Sequence, residues 1–239
     1  MEGITLKLIC CLTDGYPSIP ESAEISECYA AGGCDIIQIE LPARNPYLES
    51  DRTAFRMASA LVECDNYQNY LDNIVWTRQY MPHIRILLYL YDSTVREIGV
   101  KKLIEFCREN EINDITLTGN PDDDLKSQLA DGGLRLSACI SLKPQNNEMY
   151  AVLNSNGIIF LQTEGELSEY PELSGCIGSL RKQGVDREIF LKGGISKPAD
   201  LLSVRGTGAD GAVIGTDILN PEFDKEKLID IVASFKQAL

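Results

Sequence analysis

The chemistry legible in this chain lies in two carboxylates near its first third and two glycine-bearing turns near its end. In the run Asp35-Ile36-Ile37-Gln38-Ile39-Glu40-Leu41-Pro42 the side chains alternate as on a strand. Gln38 and Glu40 then share one face, and Ile37, Ile39 and Leu41 the other. A glutamate turned into a sheet interior loses hydration, which raises its pKa and suits it to proton donation. The competing role is structural, with Glu40 paired to Arg44 or another cation. The following loop, 43–51, carries Glu49 just ahead of Ser50 and Asp51, either of which suits a helix N-cap. Because it precedes the cap, Glu49 is the better functional candidate of the loop acids.

The glycine turns are Lys192-Gly193-Gly194-Ile195-Ser196 and Gly215-Thr216. Glycine lets backbone N–H groups approach an anion, and a helix start adds partial positive charge, so both turns suit phosphate. Plain turn chemistry is the alternative. Asp217 would repel phosphate unless it points away or caps a helix, and Lys192 or Lys197 could offset its charge.

These residues need a scaffold, and the apolar pattern supplies one. Short apolar or β-branched runs recur at 7–12, 35–41, 84–90, 114–118, 134–140, 157–162, 188–192 and 211–214, each suited to a strand buried on both faces. Helical patterns lie between them: 20–31, ending at Gly32-Gly33, then 53–63 and 69–80 as one long or broken connection, and a single stretch at 94–110. Further helices are expected near 122–130, 145–155, 174–184, 197–205 and 224–238. Eight strand–helix alternations in 239 residues predict an α/β fold of one domain, a (βα)8 TIM barrel over 1–239, with an open doubly wound sheet as the rival. The active site of such a barrel is built at the C-terminal ends of its strands, and phosphate is commonly held after the seventh and eighth. Gln38, Glu40, Glu49 and both glycine turns all fall there.

Composition removes other classes. A formal charge of −14 argues against nucleic acid, whose phosphates need clustered Lys and Arg. No apolar run approaches the length of a membrane span, and the N-terminus lacks the basic region of a signal peptide. The eight cysteines form no C-x-x-C pair and the single histidine is His83, so no metal site is expected. Several of the cysteines, Cys10, Cys11 and Cys139 among them, sit in apolar stretches and read as small core residues, and a cytoplasmic, reducing location is expected.

Several segments together resemble the tryptophan synthase alpha-subunit family. They are Thr13-Asp14-Gly15-Tyr16-Pro17-Ser18, Gly33-Cys34-Asp35-Ile36-Ile37-Gln38 with Pro42 and Pro46, Gly193-Gly194-Ile195-Ser196-Lys197-Pro198, and Gly208 through Thr216. The resemblance implies a cofactor-free retro-aldol cleavage of indole-3-glycerol phosphate, or a related phosphorylated substrate, to indole and glyceraldehyde 3-phosphate. It also implies a pyridoxal-phosphate beta-type subunit as partner. The family's strand-two catalytic glutamate falls on Gln38, and its loop aspartate on Glu49. Its sugar-side tyrosine falls on Phe160, which with Tyr89 makes the substrate-binding pair, and Gly165 in 163–168 joins Gly193, Gly194, Gly215 and Thr216 in binding phosphate. An amide cannot give an acidic proton, so Glu40 is the expected acid beside Gln38, with Glu49 as electrostatic stabiliser. The other readings are a catalytically impaired barrel that binds phosphate or a beta-type partner as a regulator, and another phosphosugar enzyme on the same scaffold.

Overall fold

The computed structural model describes residues 6–163, 172–220 and 224–239. Parallel strands β1 (Lys7–Thr13), β2 (Ile36–Glu40), β3 (Arg85–Tyr91), β4 (Asp114–Thr118), β5 (Arg135–Leu136), β6 (Ala138–Ser141), β7 (Ile159–Gln162), β8 (Ile189–Lys192) and β9 (Gly211–Ile214) form one sheet. Its order is β5-β4-β3-β2-β1-β9-β8-β7-β6. β5 and β6 are two halves of one chain run interrupted at Ser137: the first half pairs with β4 and the second with β7. The sheet therefore returns on itself as the predicted (βα)8 barrel. The expected fifth strand at 134–140 is corrected to this bent pair. The bend lets one strand follow neighbours that diverge around the closing seam.

Helices α1 (Ile19–Ala31), α2 (Asp51–Glu63), α3 (Tyr67–Tyr80), α4 (Asp92–Ile98), α5 (Val100–Glu109), α6 (Asp123–Asp131), α7 (Asn146–Asn154), α8 (Leu173–Lys182) and α9 (Lys225–Ala238) alternate with the strands. α1 begins as its sequence dictates, with the Ser18 hydroxyl accepting from the Glu21 amide and Pro20 in the first turn. The connection after β2 is two helices. The single helix expected at 94–110 is also two, because Gly99 sits at φ +96° between α4 and α5. That conformation costs an L side chain dearly and glycine little. In place of the helix expected at 197–205 there is one 3₁₀ turn, Pro198–Ser203.

Alternation sorts the side chains. Leu8, Cys10, Ile37, Ile39, Ile86 and Leu88 point outward into the layer shared with the helices. Ile9, Cys11, Ile36, Leu87, Ile158, Phe160, Phe190 and Val213 point inward and fill the middle of the barrel. Phe160 and Phe190 are fully buried there, each contributing about 1.5–3 kcal/mol by leaving water. Of the cysteines expected in the core, Cys10 and Cys11 are buried and Cys139 is half-buried; Cys28, Cys34 and Cys107 are buried as well, Cys64 and Cys176 are half-buried, and none of the eight is disulfide-bonded.

Candidate active site

Above the apolar plug, the C-terminal ends of the strands turn polar. The register sets Thr13, Glu40 and Tyr89 side by side on β1, β2 and β3. Glu40 is 6% exposed and Gln38 1% exposed, both on the lumen face. The Thr13 hydroxyl donates to one Glu40 carboxylate oxygen at 3.1 Å, and the Gln38 Nε2 donates to the other at 3.1 Å. Burial, helped by the nearby Glu49 carboxylate, pushes the Glu40 carboxyl up to about 7, against the pull of Lys192 and the two donors. Arg44 does not pair with Glu40; it lies outside the lumen and makes a forked ion pair with Glu97. Gln38 keeps a buried Oε1 without a partner among the described residues.

The loop after β2 returns Glu49 to the same mouth. Ser50 caps α2 through the Thr53 amide, so the chain direction is fixed immediately after Glu49. The Tyr89 hydroxyl donates to Glu49 Oε1 at 2.6 Å and the Tyr91 hydroxyl donates to the same oxygen at 3.1 Å. Tyr91 also accepts the Leu48 amide at 3.1 Å, which pins the loop to β3. Burial and the Glu49 carboxylate both push the Tyr89 phenol well above its ordinary range, so it stays a donor. Phe160 lies deeper, within the apolar plug.

Lys192, weighed in the sequence only as a charge offset, closes the floor of the mouth. Its ammonium lies 5.6 Å from the centroid of the Tyr89 ring and 5.7 Å from that of Phe160. Along β8, Phe190 and Lys192 are two apart and share the lumen face, the same rule that pairs Gln38 with Glu40. Applied there, alternation would have found Lys192.

The two glycine turns follow neighbouring strands, since Lys192 of β8 faces Val213 of β9. Gly193 has φ +100°, and a Cβ there would meet the Thr163 carbonyl oxygen at 2.2 Å, so only glycine fits. Gly194 also has a positive φ, +68°. Further along this turn, Asp200 accepts from the Ser196 amide at 2.8 Å and the Lys197 amide at 3.0 Å, so those donors are taken. At the second turn a Cβ on Gly215 would meet nothing within 4 Å. Thr216 is tied to α2: its hydroxyl lies 3.3 Å from that of Thr53, and Arg56 donates to its carbonyl at 2.9 Å. Arg56, missed in the sequence, is buried beside the turn with its charge over the Tyr16 ring at 5.6 Å. Asp217 points away, to Arg52 at 3.5 Å. Gly165 lies outside the described residues.

The arrangement supplies a proton carrier near neutrality, a second carboxylate held by two phenols, a cation, and a glycine-lined rim. The tryptophan synthase alpha chain family model matches residues 4–230. The tryptophan synthase of Saccharomyces cerevisiae is 21% identical over 97% of this chain, which spans only 34% of that protein. The tryptophan synthase alpha chain of Cyanothece sp. is 23% identical, covering 97% of this chain and 92% of the relative. A solved structure from Aquifex aeolicus VF5 superposes with a TM-score of 0.86 at 20% identity, covering 100% of this chain and 94% of the other, and shares the fold. With the family match running nearly end to end, the chain belongs to the tryptophan synthase alpha chain family.

Proposed function

We propose that this protein is a lyase of the alpha type that breaks a carbon–carbon bond of a phosphorylated substrate by a retro-aldol step. The observation that carries the reading is Glu40, a lumen-facing carboxyl at the catalytic end of the barrel whose pKa is about 7. A group so placed gives and takes a proton at neutral pH with little penalty in either direction. Gln38 stands where the family resemblance implies the catalytic acid and cannot fill that role. Glu40 is two residues further along the strand, a displacement of about 6.6 Å, so the substrate pose differs from that of the family. Glu49 and Tyr89 form the walls above the Phe160 ring of the plug, and Gly165, Gly193, Gly194, Gly215 and Thr216 are proposed to receive the phosphate. No cofactor enters this scheme. A beta-type subunit is the proposed macromolecular partner, and cytoplasmic placement follows the family expectation.

Glyceraldehyde 3-phosphate is a product common to retro-aldol cleavage of indole-3-glycerol phosphate and of fructose 1,6-bisphosphate, so one coupled assay reads both substrates. The purified chain, with and without a beta subunit, should release it from at least one. Glu40→Gln should lower that rate by about 10²–10⁴-fold. No release from either substrate, or an undiminished Glu40→Gln variant, contradicts the reading. Silence from both substrates together with tight beta-subunit binding would support the regulatory alternative that Gln38 favours.

A further inference from the structure

β8 and β3 lie on opposite sides of the barrel. Going round from β3 through β2, β1 and β9, the fourth strand reached is β8, half the circuit of eight strand positions. Yet Lys192 on β8 carries its ammonium to 5.6 Å from the Tyr89 ring on β3. The side chain therefore spans the lumen and places its charge near the barrel axis, above the Phe160 ring. Among the described residues it makes no hydrogen bond and no ion pair within 4 Å, and it lies over two ring faces. Of the two carboxylates of the mouth, Glu49 is held by the hydroxyls of Tyr89 and Tyr91, and Glu40, which feels the Lys192 charge, is held by Thr13 and Gln38. A cation held over ring faces, with no acceptor among the described residues, is preorganised to receive an oxygen anion.

We infer that Lys192 binds an anionic oxygen at the reacting end of the substrate, so that the substrate class is a phosphorylated hydroxyketone whose cleavage passes through an enolate. The inference rests on the lyase reading for the reaction but not for the ligand. In the step, the Glu40 carboxylate takes the proton of the carbinol hydroxyl. The carbinol carbon becomes an aldehyde as its bond to the neighbouring carbon breaks. The bonding pair moves toward the ketone, whose oxygen becomes an enolate oxygen paired with the Lys192 ammonium. Glu40, now protonated, returns its proton to the enolate carbon and leaves a ketone. Atoms, charge and electrons balance with no co-reactant.

The same charge works against an indolic substrate. Protonating the indole ring carbon develops positive charge on the ring, and an ammonium on the barrel axis raises the energy of that state. It also has no lone pair to accept an indole N–H. Lys192 therefore selects between the two substrates of the assay above, in favour of the ketone.

Binding separates this inference from the lyase reading. 2-Phosphoglycolate carries a planar carboxylate where the enolate would form, whereas glycerol 3-phosphate carries a phosphate and no second anion. By calorimetry on the whole chain, 2-phosphoglycolate should bind about tenfold or more tightly than glycerol 3-phosphate, the scale of one charge-assisted hydrogen bond. In Lys192→Met and Lys192→Gln the preference should vanish, with glycerol 3-phosphate affinity kept within about twofold. Equal affinities in the unmodified chain, or a preference that survives either substitution, overturn the assignment. A Lys192-dependent preference in a chain that cleaves neither substrate would uphold Lys192 and sink the lyase reading.

Discussion

The two ends of the barrel lumen treat charge in opposite ways. At the N-terminal end, Arg85 forks onto Asp114 at 2.8 and 2.9 Å, Arg135 reaches Asp114 at 2.8 Å, and Arg85 and Lys7 both donate to Glu188. Asp114 is only 2% exposed, and every group in this cluster has a partner of opposite sign. At the C-terminal end, Lys192 has no ion pair and Gln38 an unpartnered oxygen among the described residues, and Glu40 shares its space with Glu49. Charges that satisfy one another hold a structure closed, whereas charges left unsatisfied are held for something that arrives. On the proposed reading, the barrel is built on one end and takes its ligand at the other.

The comparison breaks most visibly by exchanging the damage. Asp114→Ala removes the buried carboxylate that joins Arg85 and Arg135, leaving Arg85 with Glu188 alone, and should cost about 1–3 kcal/mol of stability. Turnover per folded molecule should survive, so denaturant unfolding and the aldehyde assay must be run on the same sample. Glu40→Gln is expected to do the reverse, because a neutral amide replaces a carboxyl that is largely neutral below pH 7. Stability should move by less than about 1 kcal/mol, while the rate falls as given above. If Asp114→Ala abolished turnover in the folded fraction, the division between the two ends would be wrong.

A smaller effect sharpens the same contrast at the border between core and mouth. Asp14 is fully buried after β1, where it accepts from Asn73 at 2.7 Å and from the Ser22 hydroxyl at 3.3 Å. Burial raises its carboxyl from 3.8 to about 7, more than these donors lower it. The folded state then holds the proton more tightly than the unfolded state. Stability contributed by this group is present in full below about pH 4 and declines as pH rises to about 7, after which it is level. The slope is at most about 1.4 kcal/mol per pH unit. Asp14→Asn should flatten that part of the stability curve measured by urea unfolding; an unchanged slope would place the titration elsewhere.

How much of this was legible in the sequence depends on whether the determining contact is local. Strand alternation placed Gln38 and Glu40 on one face, and their mutual hydrogen bond follows from it. The cap of α2 was legible to within one residue, Ser50 or Asp51, because capping is a matter of three residues; the structure uses Ser50. The break at Gly99 was hidden because apolar positions run on through Ile98 and Val100, so helical periodicity continued across it. The bend at Ser137 has no local signal, being imposed by strands that neighbour it only in space. Tyr91 and Arg56 were missed for the same reason: each acts through a partner 40 or more residues away. The ion-pair cluster beneath the plug likewise joins Lys7 to Glu188 and Arg85 to both Asp114 and Glu188.

The most direct test of the account is a titration of Glu40 itself. With glutamate labelled at its side-chain carboxyl carbon, the resonance absent from Glu40→Gln identifies the group, and its shift can be followed from pH 4 to 9. An apparent pKa near 7, moving upward when Lys192 is replaced by Met, is the result expected for a proton carrier near the Lys192 ammonium. A midpoint in the ordinary carboxylate range, between 4 and 5, would show that Glu40 is ionised at neutral pH and would contradict the assignment of the C-terminal mouth as an acid–base site.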